Sequence, residues 1–324
     1  MLKGKEVNDM GWSIAAASFN EQIHSLIYRI LAEVDGLKGQ DAASYTGRYL
    51  YHHLRASSGF CAYAEGSDEP CGIIVFSPHE LRFLFVDECE TPGEIAASLL
   101  EHALSSMQAE MKSTFIFSTF PSWKGHLGQD LLTPLLRGKG FTELHLLRLS
   151  VPVDSEVLAG HLSGSALEKL NEQGYSIDGW RSRDHLNASM ELIIKNPNAL
   201  AGSLVTEASA EAIDWLNDNI FIDECGREAE YPPECSSTVW HKDRLAGVLL
   251  CSEKGWIHQI AVEYAHQRKG VAQAMMTRTY RALKVLRTPA MALSVYQESP
   301  VALEWYGKLG FSPTFEHSVW CWKK

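Results

Sequence analysis

Apolar positions along the chain fall into two successions that share one order. In the first, residues 72–76 and 81–86 are short runs rich in Ile, Val and Phe on either side of a turn at 77–80, a pattern that predicts paired strands. Across 94–111, Ile95, Leu99, Leu100, Ala103, Leu104 and Met107 recur at helical spacing, and 114–119 is strand-like again. In the second, 237–241 and 245–251 flank a turn at 242–244, and 256–262 reads as the next strand. A helix is predicted over 268–286, with Val271, Ala274, Met275, Ala282, Leu283 and Leu286 on one side. A strand at 290–296 follows, then a short helix at 301–308 that stops before Gly310.

Between the two successions, residues 155–174 are polar, contain Ser and Gly, and predict one short helix ending at Gly174. A chain of 324 residues is long enough for two domains, each with its own core. The expectation is an α/β protein with a mixed sheet in each half: a first domain at 1–152, a linker helix at 153–174 and a second domain at 175–324. A weak internal repeat agrees. Lys139-Gly140-Phe141 matches Leu309-Gly310-Phe311 at an offset of 170, and Gly93 matches Gly270 at an offset of 177.

Composition then narrows the function classes. With 45% hydrophobic and 21% charged residues the chain should fold, and no apolar run approaches the roughly 18 residues needed to span a bilayer. The N-terminal stretch is polar and has no secretory core, so the expected location is cytoplasmic. A formal net charge of −11 opposes nonspecific attraction to nucleic acid or to an anionic membrane. The seven cysteines show no Cys-x-x-Cys pair, so neither a zinc site nor a disulfide framework is expected and no metal is assigned.

The stretch with distinctive chemistry begins at Ile257-His-Gln-Ile-Ala-Val262 and runs through Gln267-Arg-Lys-Gly-Val-Ala272 into the predicted helix. A strand, a tight turn and a helix start expose unpaired N–H groups and the positive end of the helix dipole, which together hold an anion without any side-chain charge. Small residues at Gly270 and Ala272 let phosphate oxygens approach the backbone. From 264 to 297 there are six basic residues (Arg268, Lys269, Arg278, Arg281, Lys284, Arg287) and no acidic one, a local reversal of the overall charge that suits a ligand with several phosphates.

These residues resemble the GCN5-related N-acetyltransferase (GNAT) superfamily, whose acyl-CoA signature is Gln/Arg-x-x-Gly-x-Gly/Ala after a strand; Gln267, Gly270 and Ala272 fit it. A second family feature, Asn-x-x-Ala-x-x-x-Tyr before Gly-Phe, is matched from Ser299 through Ala302 and Tyr306 to Gly310-Phe311, with serine in place of the asparagine. Tyr264 stands where proline is usual. The resemblance covers about 150 residues, the size of one domain. It implies acetyl-CoA or another acyl-CoA as co-substrate and a small-molecule amine as acceptor. The donor would be held by Ile260, Ala261, Val262, Gln267, Arg268, Lys269, Gly270, Val271, Ala272 and Ser299. It further implies a sheet that splays beside Val262, an arm of the donor paired with Ile260 and Val262, and Tyr306 as the acid that protonates the departing thiolate.

The group that deprotonates the acceptor amine is left open among His258, Glu253, Asp223 and Glu224. The acidic segment 223–234 would favour a cationic acceptor near Asp223 and Glu224. At the equivalent place the first half has Glu90-Thr-Pro-Gly93-Glu-Ile95, and 87–112 holds six acidic residues and one base, which would repel phosphate. Five residues before Phe141 stands Leu136, where Tyr306 stands before Phe311. The first half therefore reads as a degenerate copy. A noncatalytic acyl-CoA sensor is the alternative function; it would have no need of Tyr306.

Overall fold

The computed structural model describes residues 6–7, 12–17, 58–77, 80–86, 91–110, 115–118, 129–162, 164–195 and 231–323. By contacts, the described residues up to Leu144 group with 318–323, and those from His145 to His317 form a second unit.

In the first unit β1 (Glu6–Val7), β2 (Trp12–Ala16), β3 (Ser58–Ala64), β4 (Pro70–Ser77), β5 (Glu80–Val86) and β6 (Phe115–Ser118) lie side by side in chain order. All pairs are antiparallel except β5 and β6, which run parallel and meet only at Glu80↔Phe117 and Leu81↔Ser118. The helix α1 (Pro92–Glu110) buries Ile95, Leu99, Leu100 and Met107 with Ile74, Leu81 and Val86 of the sheet. A second helix, α2 (Gln129–Gly138), adds Leu136 to the same core. Apolar positions recurring every three to four residues along α1 face the alternating apolar positions of β4 and β5, which is why the periodicities read from the sequence meet in one core.

The second unit contains β7 (Thr142–Pro152, from residue 145), α3 (Glu156–Leu162), α4 (Ala166–Glu172), β8 (Tyr175–Gly179) and α5 (Ser182–Lys195). After them come β9 (Ser237–His241), β10 (Arg244–Cys251), β11 (Trp256–Val262), a 3₁₀ turn at Tyr264–His266, α6 (Val271–Val285), β12 (Ala290–Tyr296), α7 (Pro300–Lys308) and β13 (Ser312–Lys323, to residue 317). The strand order is β7-β12-β11-β10-β9-β8, with the first residues of β13 outside β7. Here too there is one short parallel pair: β11 and β12 meet at Trp256↔Ala292 and Ile257↔Leu293 and then diverge, leaving 258–262 open on that side. Along β11, Ile257, Gln259 and Ala261 are buried while the alternate residues are less so. Ile257 shares a core with Val271 and Met275 of α6 and with Tyr306 and Leu309 from the α7 end, and Ile260 and Val262 pack against it.

Three expectations change. The polar segment after β7 forms two short helices rather than one, split around Gly164, and their Leu158, Leu162 and Leu170 are buried in the second core. The phosphate-site helix begins at Val271 rather than at 268, because Arg268 (φ 60°) and Gly270 (φ 87°) are left-handed and cannot continue a right-handed helix. Most notably, the strand following each Gly-Phe pair completes the sheet of the other half. Residues 146–152 of β7 pair with β12 from Tyr296 to Ala290, and 320–323 of β13 pair with β6.

Among the described residues no helix is long and apolar enough to cross a membrane.

Candidate functional site

The end of β11 leads through the 3₁₀ turn into Gln267, the left-handed Arg268, Lys269 and the left-handed Gly270, which is the N-cap of α6. No side chain caps this helix, and its first turn holds no acidic residue. The first helical bond runs from Ala274 N–H to Gly270 C=O at 2.9 Å, so the amides of Val271, Ala272 and Gln273 precede the intrahelical ladder. A Cβ placed on Gly270 would meet nothing within 4 Å, and Arg268, Lys269 and Gly270 are all exposed. The result is an exposed, uncapped helix start with two cations beside it, chemistry that suits a diphosphate.

The turn is tied down on both flanks. Glu263 N–H donates to Ala246 C=O at 2.9 Å, and Gln267 Nε2 donates to Val262 C=O at 3.2 Å. Gln267 thus braces the turn from within. The more distal cations are occupied elsewhere in the unit: Arg278 donates to Pro233 C=O at 3.1 Å, and Arg281 to Gly164 C=O at 3.3 Å. Of the basic run, Arg268 and Lys269 alone belong to the turn itself. A cavity of about 620 Å³ opens next to it, bordered by Val262, Glu263, Tyr264 and Gln267 and walled by α5 and the β9–β10 turn. Tyr264, in the position where the family pattern has proline, is 86% exposed at its edge.

His258 is the first residue of β11 past the last parallel rung with β12. Its ring keeps solvent access but sits among aromatic walls: Tyr231 lies 5.2 Å away and Trp256 6.3 Å away, both edge-on. The guanidinium of Arg148 covers the Trp256 ring at 4.7 Å. Crowding by these rings lowers its pKa from 6.5 to about 4 even though the residue is exposed on one side, so at neutral pH it is uncharged and able to accept a proton. Alternation along β11 puts Trp256 on the same face as His258, whereas Tyr231 comes from a distant stretch that gives no such signal.

One consequence can be checked. Because the native imidazole binds its proton less readily than the unfolded one, stability should decline as pH falls from about 6.5 toward 4, the loss being complete below the lower value. In His258→Gln the slope across that window should be shallower, as read from denaturant midpoints measured at each pH. An identical slope in both proteins would remove His258 from this account.

Tyr306 is 6% exposed on α7, with its ring 5.0 Å from Trp305 and 5.6 Å from Phe311. Burial raises its pKa well above the usual phenol range, so the hydroxyl stays protonated. Ser299 is the N-cap of α7, without a side-chain capping bond. Glu253 lies in the β10–β11 turn, at the end of β11 opposite Gly270, and is exposed. The structure therefore does not bring Glu253 to the turn that holds Gln267 and Gly270. Asp223 and Glu224 lie outside the described residues.

The first unit repeats parts of the scaffold with different residues at the matching places. Phe141 N–H bonds Leu136 C=O at 3.0 Å and Phe311 N–H bonds Tyr306 C=O at 3.1 Å, while Gly140 and Gly310 share φ near 86° and 87°. Leu136 is thus the geometric counterpart of Tyr306. At the start of α1, Pro92 has no N–H, and Glu94 and Ile95 both turn their N–H groups onto Thr91 C=O at 3.2 Å. With the Glu94 carboxylate in that first turn, this helix start is less suited to phosphate than that of α6.

Residues 203–311 match the model of the Acetyltransferase (GNAT) family. Among solved structures, a GCN5-related N-acetyltransferase from Sphaerobacter thermophilus aligns over 96% of this chain and 95% of its own, at 14% identity and a TM-score of 0.57. A tandem GNAT protein from the clavulanic acid biosynthesis pathway aligns over 96% and 98%, also at 14% identity and a TM-score of 0.57. A putative acetyltransferase from Pyrococcus horikoshii covers 99% and 92%, at 13% identity and a TM-score of 0.53. Among curated proteins none matches the sequence.

Proposed function

We propose that this chain, whose residues 203–311 match the GNAT family model and whose fold is like that of tandem GNAT structures, transfers the acetyl group of acetyl-CoA to the primary amine of a small molecule. The observation that carries the reading is the opening of the β11–β12 pair directly upstream of an uncapped, left-handed helix start.

The geometry supports the following division of labour. Backbone amides from Arg268 to Ala272, with Arg268 and Lys269, take the diphosphate. The acyl-bearing arm runs back along the unpaired edge of 258–262, which offers its free backbone groups as a strand would. The thioester then lies toward the apex of the opening. There His258, neutral and ringed by Trp256 and Tyr231, receives the proton that the attacking amine sheds. Tyr306 Oη supplies a proton to the departing sulfur, a role that requires the phenol to be protonated at working pH. The first unit, with an acidic first turn at α1 and with Leu136 in the place of Tyr306, serves as support.

Thiol release from acetyl-CoA across a panel of amines, alongside calorimetry with CoA, tests this. Tyr306→Phe should cut kcat by about 100-fold or more, the usual worth of a general acid, while CoA affinity stays within about twofold. Uptake of CoA with no turnover on any amine would replace the enzyme with an acyl-CoA sensor.

A further inference from the structure

A chain of polar side chains behind the phosphate turn has no part in the chemistry above. Tyr175 on β8 is 6% exposed, and His266, the last residue of the 3₁₀ turn, is 8% exposed. Tyr175 Oη and His266 Nδ1 are 2.7 Å apart in the buried interior. On the other side of the ring His266 Nε2 stands 3.1 Å from Glu263 Oε2. His241, which is the register partner of Tyr175, packs its ring 4.6 Å from the tyrosine and 5.2 Å from His266. Burial lowers the His266 pKa, opposed by Glu263 and reinforced by Lys269 and His241, so the ring is neutral at physiological pH.

A neutral imidazole has one N–H donor and one acceptor nitrogen. The partners fix which is which: Glu263 can only accept, so Nε2 carries the proton, and Nδ1 accepts from the Tyr175 hydroxyl. Both ring positions are then used in one orientation, which sets the side chain and with it the backbone of His266. Only Gln267 separates that backbone from Arg268, the first of the two left-handed residues that aim the amides. Left-handed geometry at a non-glycine residue persists where its surroundings over-determine it, and this linkage supplies that constraint from the protein interior.

We propose that Tyr175, His266 and Glu263 form a buried latch that presets the phosphate-holding turn, with His266 as a positioning residue for donor affinity. The inference rests on the reading of this turn as the diphosphate site. A turn fixed before binding spends no affinity on being ordered.

The test is calorimetry of the full chain with CoA. Tyr175→Phe removes one bond and leaves the ring in place; it should weaken CoA by about fivefold, the scale of one neutral hydrogen bond. His266→Leu fills the space without either bond and should weaken CoA by about tenfold or more, whereas His266→Asn, whose Oδ1 can stand in for Nδ1, should return to within about threefold of the wild type. Where the leucine variant fails to fold, Tyr175→Phe decides. Wild-type protein that takes up no CoA removes the functional reading and the latch together. Wild-type protein that binds, with Tyr175→Phe and His266→Leu binding equally well, removes the latch alone, as does a loss that asparagine leaves unrepaired.

Discussion

Expressed alone, residues 175–324 should fail to form a cooperatively folded domain. That stretch contains every motif of the acyl-CoA site, yet it lacks β7, which pairs with β12 at all seven positions from Ala290 to Tyr296. It also lacks Leu149, Val151, Val153, Leu158, Leu162 and Leu170, all 4% exposed or less in the second core. Truncating a single buried leucine costs about 2–5 kcal/mol, and whole domains are stable by only about 5–15 kcal/mol, so losing six such residues together exceeds the margin. The unpaired side of β12 would further act as a template for aggregation. Circular dichroism and thermal melting of the fragment, compared with the full chain, check this. A monomeric fragment with a sharp melt would show that the pairing with β7 is dispensable.

The second large effect concerns Gly270→Glu. The position is left-handed, so any side chain there carries strain of about 1–2 kcal/mol, but the space beyond it is open and the fold should survive. What changes is the cradle: a carboxylate is set among the amides and beside Arg268 and Lys269, where it both occupies and neutralises the anion site. CoA affinity should drop by about 100-fold or more, comparable to removing several charge-assisted hydrogen bonds. Gly270→Ala separates the two contributions, since it adds the strain without the charge and should cost far less binding. Undiminished CoA binding by the glutamate variant, at an unchanged melting temperature, would move the diphosphate away from this turn.

What could be read from the sequence follows the range of each signal. Local periodicity located β9, β11 and β12 at their observed bounds, and placed β10 and α1 to within two residues. The start of α6 was misjudged by three residues because apolar spacing does not report the sign of φ, and Arg268 gives no compositional hint that it is left-handed. The short helices at 156–172 read as a linker since each carries few apolar residues; their burial depends on partners far along the chain. Gln267 and Gly270 were legible through a spacing tied to backbone geometry. The Tyr175–His266 bond was not, because its partners stand 91 residues apart and neither belongs to a motif. The exchange of β7 and β13 was invisible for the same reason: both strands follow the same Gly-Phe turn, and nothing near either one specifies which neighbour it will join.

That exchange also orders events during synthesis. A ribosome delivers residues 1–144 first, and such segments ordinarily fold as they emerge. Here the strand that lies against β6 is encoded at 320–323, so the earlier half must wait, with the edge of Phe115–Ser118 unclosed, until nearly two hundred further residues have been made. The later half runs to residue 317, so it too is completed only as the last residues emerge. Nascent-chain proteolysis should accordingly find 1–144 still sensitive until synthesis ends, in place of the usual N-to-C order of maturation.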